Sequence, residues 1–425
     1  MIVNSLKLTN FRGIQDLSLD FDSRLNVFAG VNGAGKTTIL DAVAAMLWTA
    51  INSFSHSQIR PLELEKNIKN GCSSAQIESD VHVFDQKETW FVNVRQNKGK
   101  TLSGMSIEET NSSQDEPLFS NSLSDSYNSR VQNNKPDLPL IVYYPVNRIV
   151  TKLDLDIDDI FSFDILTGYE DALNSNADFH RFFQWYRHRE DYENEKIRDN
   201  SEYRYVDKQL LTVGKAVHKF LPDWNGIRIR RNPLDMQVDK NFERYSIMQL
   251  SDGEKGLFAM IADIARRLAI LNPSLENPLE GVGVIIIDEI ELHLHPLWQQ
   301  TIIPQLLTTF LNCQFFISTH SPQVLTNVEP EKLWIMKPET KGITGFHPEN
   351  SFGWTSDLIL QDTMGLSSAR QPEIQKQLDE LFSFIGNNEL ETAAYRIQDI
   401  RKKAGDLPEL TRAQALIFRM EKMGK

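Results

Sequence analysis

Eight consecutive residues near the start of the chain, Gly30-Val31-Asn32-Gly33-Ala34-Gly35-Lys36-Thr37, have the types and spacing of a phosphate-binding loop. An apolar, strand-like stretch precedes them and a helix-like stretch follows. Glycines at this spacing let backbone N–H groups reach nucleotide phosphates at a helix N-terminus. Lys36 is expected to reach the β and γ phosphates, and the Thr37 hydroxyl to ligate Mg²⁺. The alternative is a glycine turn without a ligand. The predicted nucleotide-binding residues are Gly30, Asn32, Gly33, Ala34, Gly35, Lys36, Thr37 and Thr38.

Two acidic residues follow a run of four apolar β-branched residues. The run, Val284 to Ile287, is typical of a buried strand, and Asp288 and Glu289 come directly after it. Nucleotides bind at the carboxyl ends of such strands in open αβ sheets. We expect Asp288 to hold Mg²⁺ together with Thr37, and Glu289 to act catalytically by orienting or deprotonating the attacking water. The alternative, an ordinary strand end, is less favoured because a phosphate loop lies upstream.

Two further segments resemble motifs of the ABC class of ATPases. Leu250-Ser251-Asp252-Gly253-Glu254 is similar to the signature sequence, and the segment from Phe315 to Ser321 is similar to the one that carries the switch histidine, here His320. The resemblance implies that Ser251 and Gly253 bind ATP held by another copy of the chain. It also implies a catalytic role for His320 at the γ-phosphate. Taken alone, Ser251 with Glu254 is equally well explained as a helix cap.

The opening of the chain resembles the SMC, RecF and OLD ATPases of this class. Asn10-Phe11-Arg12-Gly13-Ile14 is similar to their first strand and turn, which implies that Arg12 lies close to the nucleotide phosphates. The segment from Tyr143 to Arg148 stands where RecF-like proteins have a glutamine loop, but it contains no glutamine. Whether Asn147 or Arg148 takes over that role stays open.

The segment from Asp288 to Pro296 is similar to the acidic, histidine-bearing segment of OLD-like ATPases. Its His293 and His295 have the spacing of a metal pair. Zinc sites need three or four ligands, and no third candidate is evident, so a dimer-contact loop is favoured over a metal site.

These resemblances imply an α/β fold, an ABC-type ATPase head. A mixed β-sheet with a phosphate-loop αβ core carries an inserted helical lobe and a helical C-terminal tail. Apolar residues recur every three or four positions in two tail segments, 371–384 and 389–404, whose stripes either pack on the ATPase core or dock a partner. The predicted divisions are an N-terminal ATPase lobe over 1–97, a flexible polar insertion over 98–137, a helical lobe with return strands over 138–249, a signature-to-histidine ATPase lobe over 250–345 and the tail over 346–425.

Composition and spacing exclude several classes of protein. A net charge of −13 argues against a surface coated for nonspecific nucleic-acid binding, and two distant cysteines support neither a disulfide framework nor a zinc module. The absence of sustained heptads excludes a long coiled coil. No signal peptide and no apolar run of membrane-spanning length are evident, so we expect a cytoplasmic protein without a membrane partner. Asn134-Lys135-Pro136-Asp137 matches the guanine-selecting motif but follows a polar run, which favours ATP over GTP.

The insertion narrows the resemblance. Phe182 to Arg187 and Arg189 to Asn194, with Phe161 to Asp164 before them, resemble the insertion of the PtuA ATPases of Septu anti-phage systems, which also occur beside some retrons. The resemblance implies ATP and Mg²⁺ as cofactors, a homodimer or higher homo-oligomer, and control of a separate HNH nuclease of the PtuB type. The chain itself shows no nuclease motif after His320.

Three alternatives stay open at the level of the sequence: a RecF- or SMC-like DNA repair ATPase, an ATP-bound scaffold with little turnover, and the ATPase subunit of a transporter. DNA is a further candidate partner. Arg228 and Arg230 lie on one side of a predicted strand with Arg231 adjacent, and they either contact phosphates or form a solvated face paired with acids.

Overall fold

The computed structural model describes residues 1–54, 64–84, 86–95, 118–132, 136–146, 164–173, 179–200, 205–339, 342–365 and 370–423. The strands among them are β1 Ile2–Val3, β2 Ser5–Phe11, β3 Ile14–Asp20, β4 Leu25–Ala29, β5 Ser74–Val83, β6 Gln86–Arg95, β7 Leu140–Tyr144, β8 Trp224–Arg231, β9 Leu234–Lys240, β10 Glu243–Ser246, β11 Gly283–Ile287, β12 Cys313–Thr319, β13 Leu333–Glu339 and β14 Gly342–Phe346. The α-helices are α1 Lys36–Phe54, α2 Leu118–Gln132, α3 Phe179–Asn200, α4 Lys208–Phe220, α5 Asp252–Leu271, α6 Pro296–Thr309, α7 Pro322–Leu325, α8 Ser356–Leu358, α9 Pro372–Gly386, α10 Leu390–Ala404 and α11 Pro408–Met423.

A six-stranded mixed sheet forms the centre of the ATPase head. Its order is β14-β13-β4-β12-β11-β7, with five parallel strands and an antiparallel edge strand, β14. Every residue of β4, β7, β11 and β12 is buried. Strands covered on both faces read as near-continuous apolar runs rather than alternating ones, as β7 and β11 do here. Because the strands are parallel, the carboxyl ends of β4, β12 and β11 meet at one edge.

Two antiparallel sheets complete the strand content of the head. The first contains β1, β5, β2 and β3, with β6 paired to the other side of β5. The second is the meander β10-β9-β8, which leads directly into the predicted signature segment. The structure therefore has the predicted α/β class with a mixed sheet.

Helix α1 is the core helix behind the phosphate loop. By length and composition it is the one described helix that could cross a membrane, but 78% of its apolar window is buried inside the protein. It is therefore weak evidence of a membrane segment. Helix α5 is also largely buried and packs against α4, α3 and β7.

One part of the segment 98–137, predicted to be a flexible polar insertion, is a helix in the structure. Residues Leu118–Gln132 form α2, which packs on α1. Leu123 is buried, the Tyr127 ring lies edge-on to Phe54, and the Arg130 guanidinium lies 4.7 Å from the centre of the Phe84 ring. A few large side chains thus anchor a helix whose composition is otherwise polar. Residues 98–117 and 133–135 of that segment, including Asn134 and Lys135, lie outside the described residues.

The chain divides into two compact units, Met1–Trp354 and Thr355–Lys425. The second unit has its own apolar core, to which α9, α10 and α11 all contribute. The two predicted tail helices are present as α9 and α10. Helix α11 was not predicted, because its buried positions Leu410, Ala413 and Ile417 include a small residue and mark its stripe weakly.

Candidate functional site

The loop from Gly30 to Gly35 has a backbone that only glycine accommodates at two points. Gly30 has φ of +145°, and a Cβ there would lie 2.4 Å from the carbonyl oxygen of Met336. Gly35 has φ of +91°, and its Cβ would lie 2.6 Å from Cδ1 of Ile343. Side chains at these points would collide with the neighbouring strands β13 and β14. The sheet therefore holds the loop close, with α1 beginning at Lys36.

Lys36 folds back over this loop. Its Nζ donates to the carbonyl oxygens of Gly30, at 3.0 Å, and Val31, at 3.2 Å. Burial lowers the pKa of Lys36, although the carboxylates of Glu289, Asp288 and Glu291 oppose that shift. The Lys36 ammonium donates to neutral carbonyls here, and it can exchange them for charged phosphate oxygens, which form stronger hydrogen bonds.

Thr37 contacts the first of the two acids after β11 directly, and one serine joins the two acids. The Thr37 hydroxyl donates to Oδ2 of Asp288 at 2.9 Å, and the Ser318 hydroxyl donates to Oδ1 of the same carboxylate. The backbone N–H of Glu289 donates to Ser318 Oγ at 2.8 Å. Glu289 has φ of +47°, an uncommon backbone for a non-glycine residue. Ser318 thus orients Asp288 and Glu289 together, a role that sequence reasoning did not assign to it.

His320 is fixed by another residue to which no role was assigned. The Glu291 carboxylate accepts from the backbone N–H of His320 at 2.6 Å and from the Thr319 hydroxyl at 2.8 Å. Glu291 comes from the loop after β11, and Thr319 and His320 from the end of β12. The acidic loop and the histidine segment are therefore joined by a carboxylate. Both segments were visible in the sequence, but their pairing was not.

These elements surround a cavity of ≈ 430 Å³. Its lining from the predicted residues is Asn32, Gly33, Gly35, Lys36, Thr37, Thr38, Glu289 and His320. Gly13 and Ile343 also line it and were not predicted as site residues. Gly30, Ala34 and Asp288 lie outside this lining, and both Ala34 and Asp288 are buried. The cavity combines backbone donors, an ammonium, a hydroxyl beside a carboxylate and a second carboxylate. That donor set fits a nucleotide phosphate chain with Mg²⁺.

Arg12 does not line this cavity. Its Nη1 lies 2.6 Å from Oδ2 of Asp41 on α1, and its Nε donates to Oδ1 of Asn67. Tyr143 donates to the other Asp41 oxygen at 2.9 Å. Burial raises the pKa of Asp41, against the opposing effects of Arg12 and Tyr143. The structure thus ties Arg12 to α1, and its contact with nucleotide phosphates stays a prediction.

The signature segment stands apart from the cavity of its own chain. Ser251 caps α5: its Oγ accepts from the backbone N–H of Glu254, and the Glu254 carboxylate accepts from the Ser251 hydroxyl at 2.8 Å. Ser251 is exposed, and neither it nor Gly253 lines the cavity. A Cβ at Gly253 would lie 2.4 Å from the carbonyl oxygen of His293, so only glycine allows this approach to the acidic loop. The helix-cap alternative is present in the structure, and it leaves the cap open to solvent.

An Escherichia coli protein named Retron Ec83 probable ATPase is 30% identical to this chain over 472 residues, which cover 96% of the chain and 83% of that protein. The chain belongs to the retron ATPase family. The Septu protein PtuA of Bacillus thuringiensis is 25% identical over 89% of the chain and 90% of its own length. A family model described as an AAA domain (AAA_23) matches residues 5–211. The predicted relationship to the SMC, RecF and PtuA ATPases is confirmed.

The fold of this chain is that of an SMC head. A crystal structure of an SMC head bound to the C-winged helix domain of ScpA covers 81% of the chain and 97% of its own length, with a TM-score of 0.50 and 14% identity. At that identity the likeness concerns the fold alone. It confirms the predicted head with its mixed sheet.

The basic strand β8 has arginines that are already paired with acids, which is the second of the two predicted alternatives. Arg228 lies 3.0 Å from Asp239, Arg231 contacts both Glu190 and Asp191, and the Arg230 Nε donates to the carbonyl oxygen of Asn232. Acids that already neutralise a cation reduce its attraction for phosphate. This strand therefore offers weak support for a DNA contact.

Two other predictions concern the remaining candidate residues. Asn147 and Arg148, proposed in place of a glutamine loop, lie outside the described residues. Within the described parts of the chain, no group of three or more His, Cys, Asp or Glu could hold a metal ion. His295 caps α6 by accepting from the backbone N–H of Leu297 at 3.3 Å. That His293 and His295 belong to a dimer-contact loop stays a prediction.

Proposed function

We propose that this chain hydrolyses ATP to ADP and phosphate at sites completed by a second copy, and that its nucleotide state controls a separate HNH-type nuclease in anti-phage defence. One observation carries the shared site. Ser251 caps a helix whose N-terminus is open to solvent, whereas the phosphate loop, both acids and His320 converge elsewhere in the same chain. A helix N-terminus with an exposed serine is an anion-binding arrangement. A phosphate presented by a second copy fits it.

Within each site the residues have separate tasks. The loop from Gly30 to Gly35 and Lys36 bind the phosphates, and Thr38 extends that contact at the start of α1. Thr37 and Asp288, which already contact each other, would hold Mg²⁺, whose charge offsets that of the phosphates. Glu289 orients or deprotonates water, and His320, held by Glu291, acts at the γ-phosphate.

The partner assignment rests on the similarity to PtuA along nearly the whole chain. We place the protein in the cytoplasm as a homodimer or higher homo-oligomer that does not itself cut DNA. DNA as a direct ligand has little support from the arginines of β8, because acids already pair with Arg228 and Arg231.

Mixing two inactive variants tests the shared site. Lys36→Ala removes the phosphate-loop cation, and Ser251→Arg blocks the helix cap, so each variant alone should be nearly inactive. A mixed dimer contains one site with an intact loop and an intact signature. We therefore expect steady-state ATP hydrolysis in the mixture to recover to about a quarter of the wild-type rate, the statistical share of intact sites under free subunit exchange.

Subunit exchange must be shown by a label on one variant. A mixture no more active than its parents, under conditions where labelled subunits do exchange, would falsify the shared site. Wild-type protein that binds ATP without steady-state turnover would instead favour the ATP-bound scaffold.

A further inference from the structure

The hairpin that joins β9 to β10 has an unusual tip. Lys240 pairs with Glu243, so the turn between them contains only Asn241 and Phe242. Both have positive φ, +51° and +68°. Two-residue hairpin turns of this kind favour asparagine followed by glycine, because a side chain at the second position is strained. Here a phenylalanine stands where glycine is expected.

Among the residues that the structure describes, none packs over Phe242 to compensate for this strain. The Phe242 side chain is fully exposed, at 109% of its reference area. A strained residue persists when something else determines it, and such outliers concentrate at functional sites. An exposed aromatic ring on a strained turn therefore calls for a ligand or partner outside the chain.

The tip lies beside the signature segment. Lys240, the last residue before the turn, forms an ion pair with Glu254. Glu254 is the residue that exchanges hydrogen bonds with Ser251 at the cap of α5. The contacts of Lys240 with Glu254 and of Glu254 with Ser251 thus hold the hairpin against the helix N-terminus. The ion pair also neutralises the charges of Lys240 and Glu254.

Two more exposed apolar side chains belong to segments that adjoin the same helix N-terminus. Met248, 39% exposed, stands three residues before Ser251. Leu297, 66% exposed, precedes Trp298, whose ring lies 3.8 Å from the position of a Cβ on Gly253. Three segments that adjoin the exposed cap thus each carry an exposed apolar side chain. Large apolar side chains that cluster on a surface mark interaction sites.

We propose that Phe242, together with Met248 and Leu297 from the other segments at this cap, belongs to a contact surface for a second copy of this chain. The proposal rests on the proposed function, in which Ser251 faces the ATP of that copy. Continuity with the signature selects the occupant, because the contacts of Lys240 with Glu254 and of Glu254 with Ser251 hold the hairpin at the helix N-terminus that the second copy would approach. The strained tip then projects an aromatic ring into the interface between two heads, next to the shared nucleotide.

A pair of turn variants separates this contact from the conformation of the turn. In a Glu289→Gln background, expected to bind ATP without hydrolysing it, Phe242→Gly should weaken ATP-dependent dimerisation by about tenfold or more, since a buried phenylalanine side chain accounts for at least that factor. Its Tm should not fall, because glycine relieves the positive φ. Asn241→Gly relieves the neighbouring residue but keeps the ring, and it should dimerise like the parent. Sedimentation at a series of protein concentrations measures the dimerisation of the parent and of both turn variants.

The outcomes distinguish the two proposals. A Phe242→Gly variant that dimerises with the parent midpoint overturns the contact and leaves the shared site standing. A Glu289→Gln parent that binds ATP but does not dimerise overturns both. If the protein is oligomeric without ATP, p-benzoylphenylalanine at position 242 should crosslink to a second copy near its phosphate loop. Crosslinks confined to its own chain or formed to another protein would overturn the contact.

Discussion

At the scale of single residues, Glu291 is the side chain whose importance the geometry reveals most directly. It lies within the acidic segment after β11, and its two carboxylate oxygens accept from Thr319 and from the backbone N–H of His320. His320 lines the cavity, whereas Glu291 does not. Glu291 is therefore a positioning residue: it fixes the backbone that presents His320.

Replacing Glu291 with alanine should lower kcat more than it raises KM for ATP. The change leaves the His320 N–H without its partner, which costs about 1–3 kcal/mol and corresponds to roughly tenfold or more in rate if it falls on the transition state. Steady-state hydrolysis checks this, with Glu329→Ala as a control at an exposed acid paired with Lys332. Equal kcat in the Glu291 variant and the control would remove the positioning role.

At the scale of elements, helix α5 joins the signature to the sheet through a buried ionic cluster. Asp263 accepts from the guanidinium groups of Arg266 and Arg267, and from the Tyr144 hydroxyl at 2.8 Å. Arg267 also donates to the carbonyl oxygens of Gly168 and Glu170. Burial alone would raise the pKa of Asp263, but the two arginines outweigh it and lower the pKa well below its ordinary value. The cluster links α5 with β7 and the segment at 168–170.

Asp263→Asn should destabilise the fold by about 3–5 kcal/mol, because it leaves two buried guanidinium groups without a counter-charge. Tyr144→Phe removes one hydrogen bond to the carboxylate and should cost less, about 1.5–3 kcal/mol. Urea unfolding at several pH values measures both. The lowered pKa means that this stabilisation is complete above the ordinary pKa of 3.8 and is lost as pH falls toward the folded value. The gap between wild type and Asp263→Asn should therefore narrow only in acid. A gap unchanged down to the lowest pH at which both proteins fold would contradict the charge argument.

At the scale of the whole molecule, the chain contains a second unit that the ATP site does not use. Thr355–Lys425 has its own core, and Tyr395 on α10 and Phe418 on α11 are 76% and 59% exposed. Exposed aromatic side chains on a compact unit are typical anchors of protein contacts. Under the proposed function, this unit is the candidate docking site for the nuclease.

Deleting Thr355–Lys425 should leave ATP binding intact and abolish co-purification with the nuclease. The double change Tyr395→Ser and Phe418→Ser tests the two exposed aromatic side chains without removing the unit, and it should weaken capture by about tenfold or more. Lys376→Ser with Lys402→Ser changes the surface of the same unit and serves as the control. A folded double variant that retains full capture would place the docking surface elsewhere, and a deletion variant that unfolds would mean that the head needs this unit for stability.

The sequence by itself determined the class of the protein and the order of its motifs. A phosphate loop, an apolar strand ending in two acids, a signature and a histidine segment are each contiguous, so residue type and local period identify them. The α/β head followed from these motifs and the resemblance to PtuA from the insertion around Phe182 to Asn194, and both are confirmed. Tail helices α9 and α10 were visible for the same reason, through their apolar stripes.

Only the tertiary structure decided which of these residues meet. Thr37 and Asp288 are 251 positions apart, and they touch because the sheet order places β4, β12 and β11 side by side with their carboxyl ends at one edge. The same order brings Glu291 to His320 and Ser318 to Asp288, contacts that no local pattern encodes. Packing on α1 also decided that α2 is a helix and that Arg12 pairs with Asp41. Contacts between distant segments depend on the whole arrangement of strands and helices, and the local sequence around each partner does not contain it.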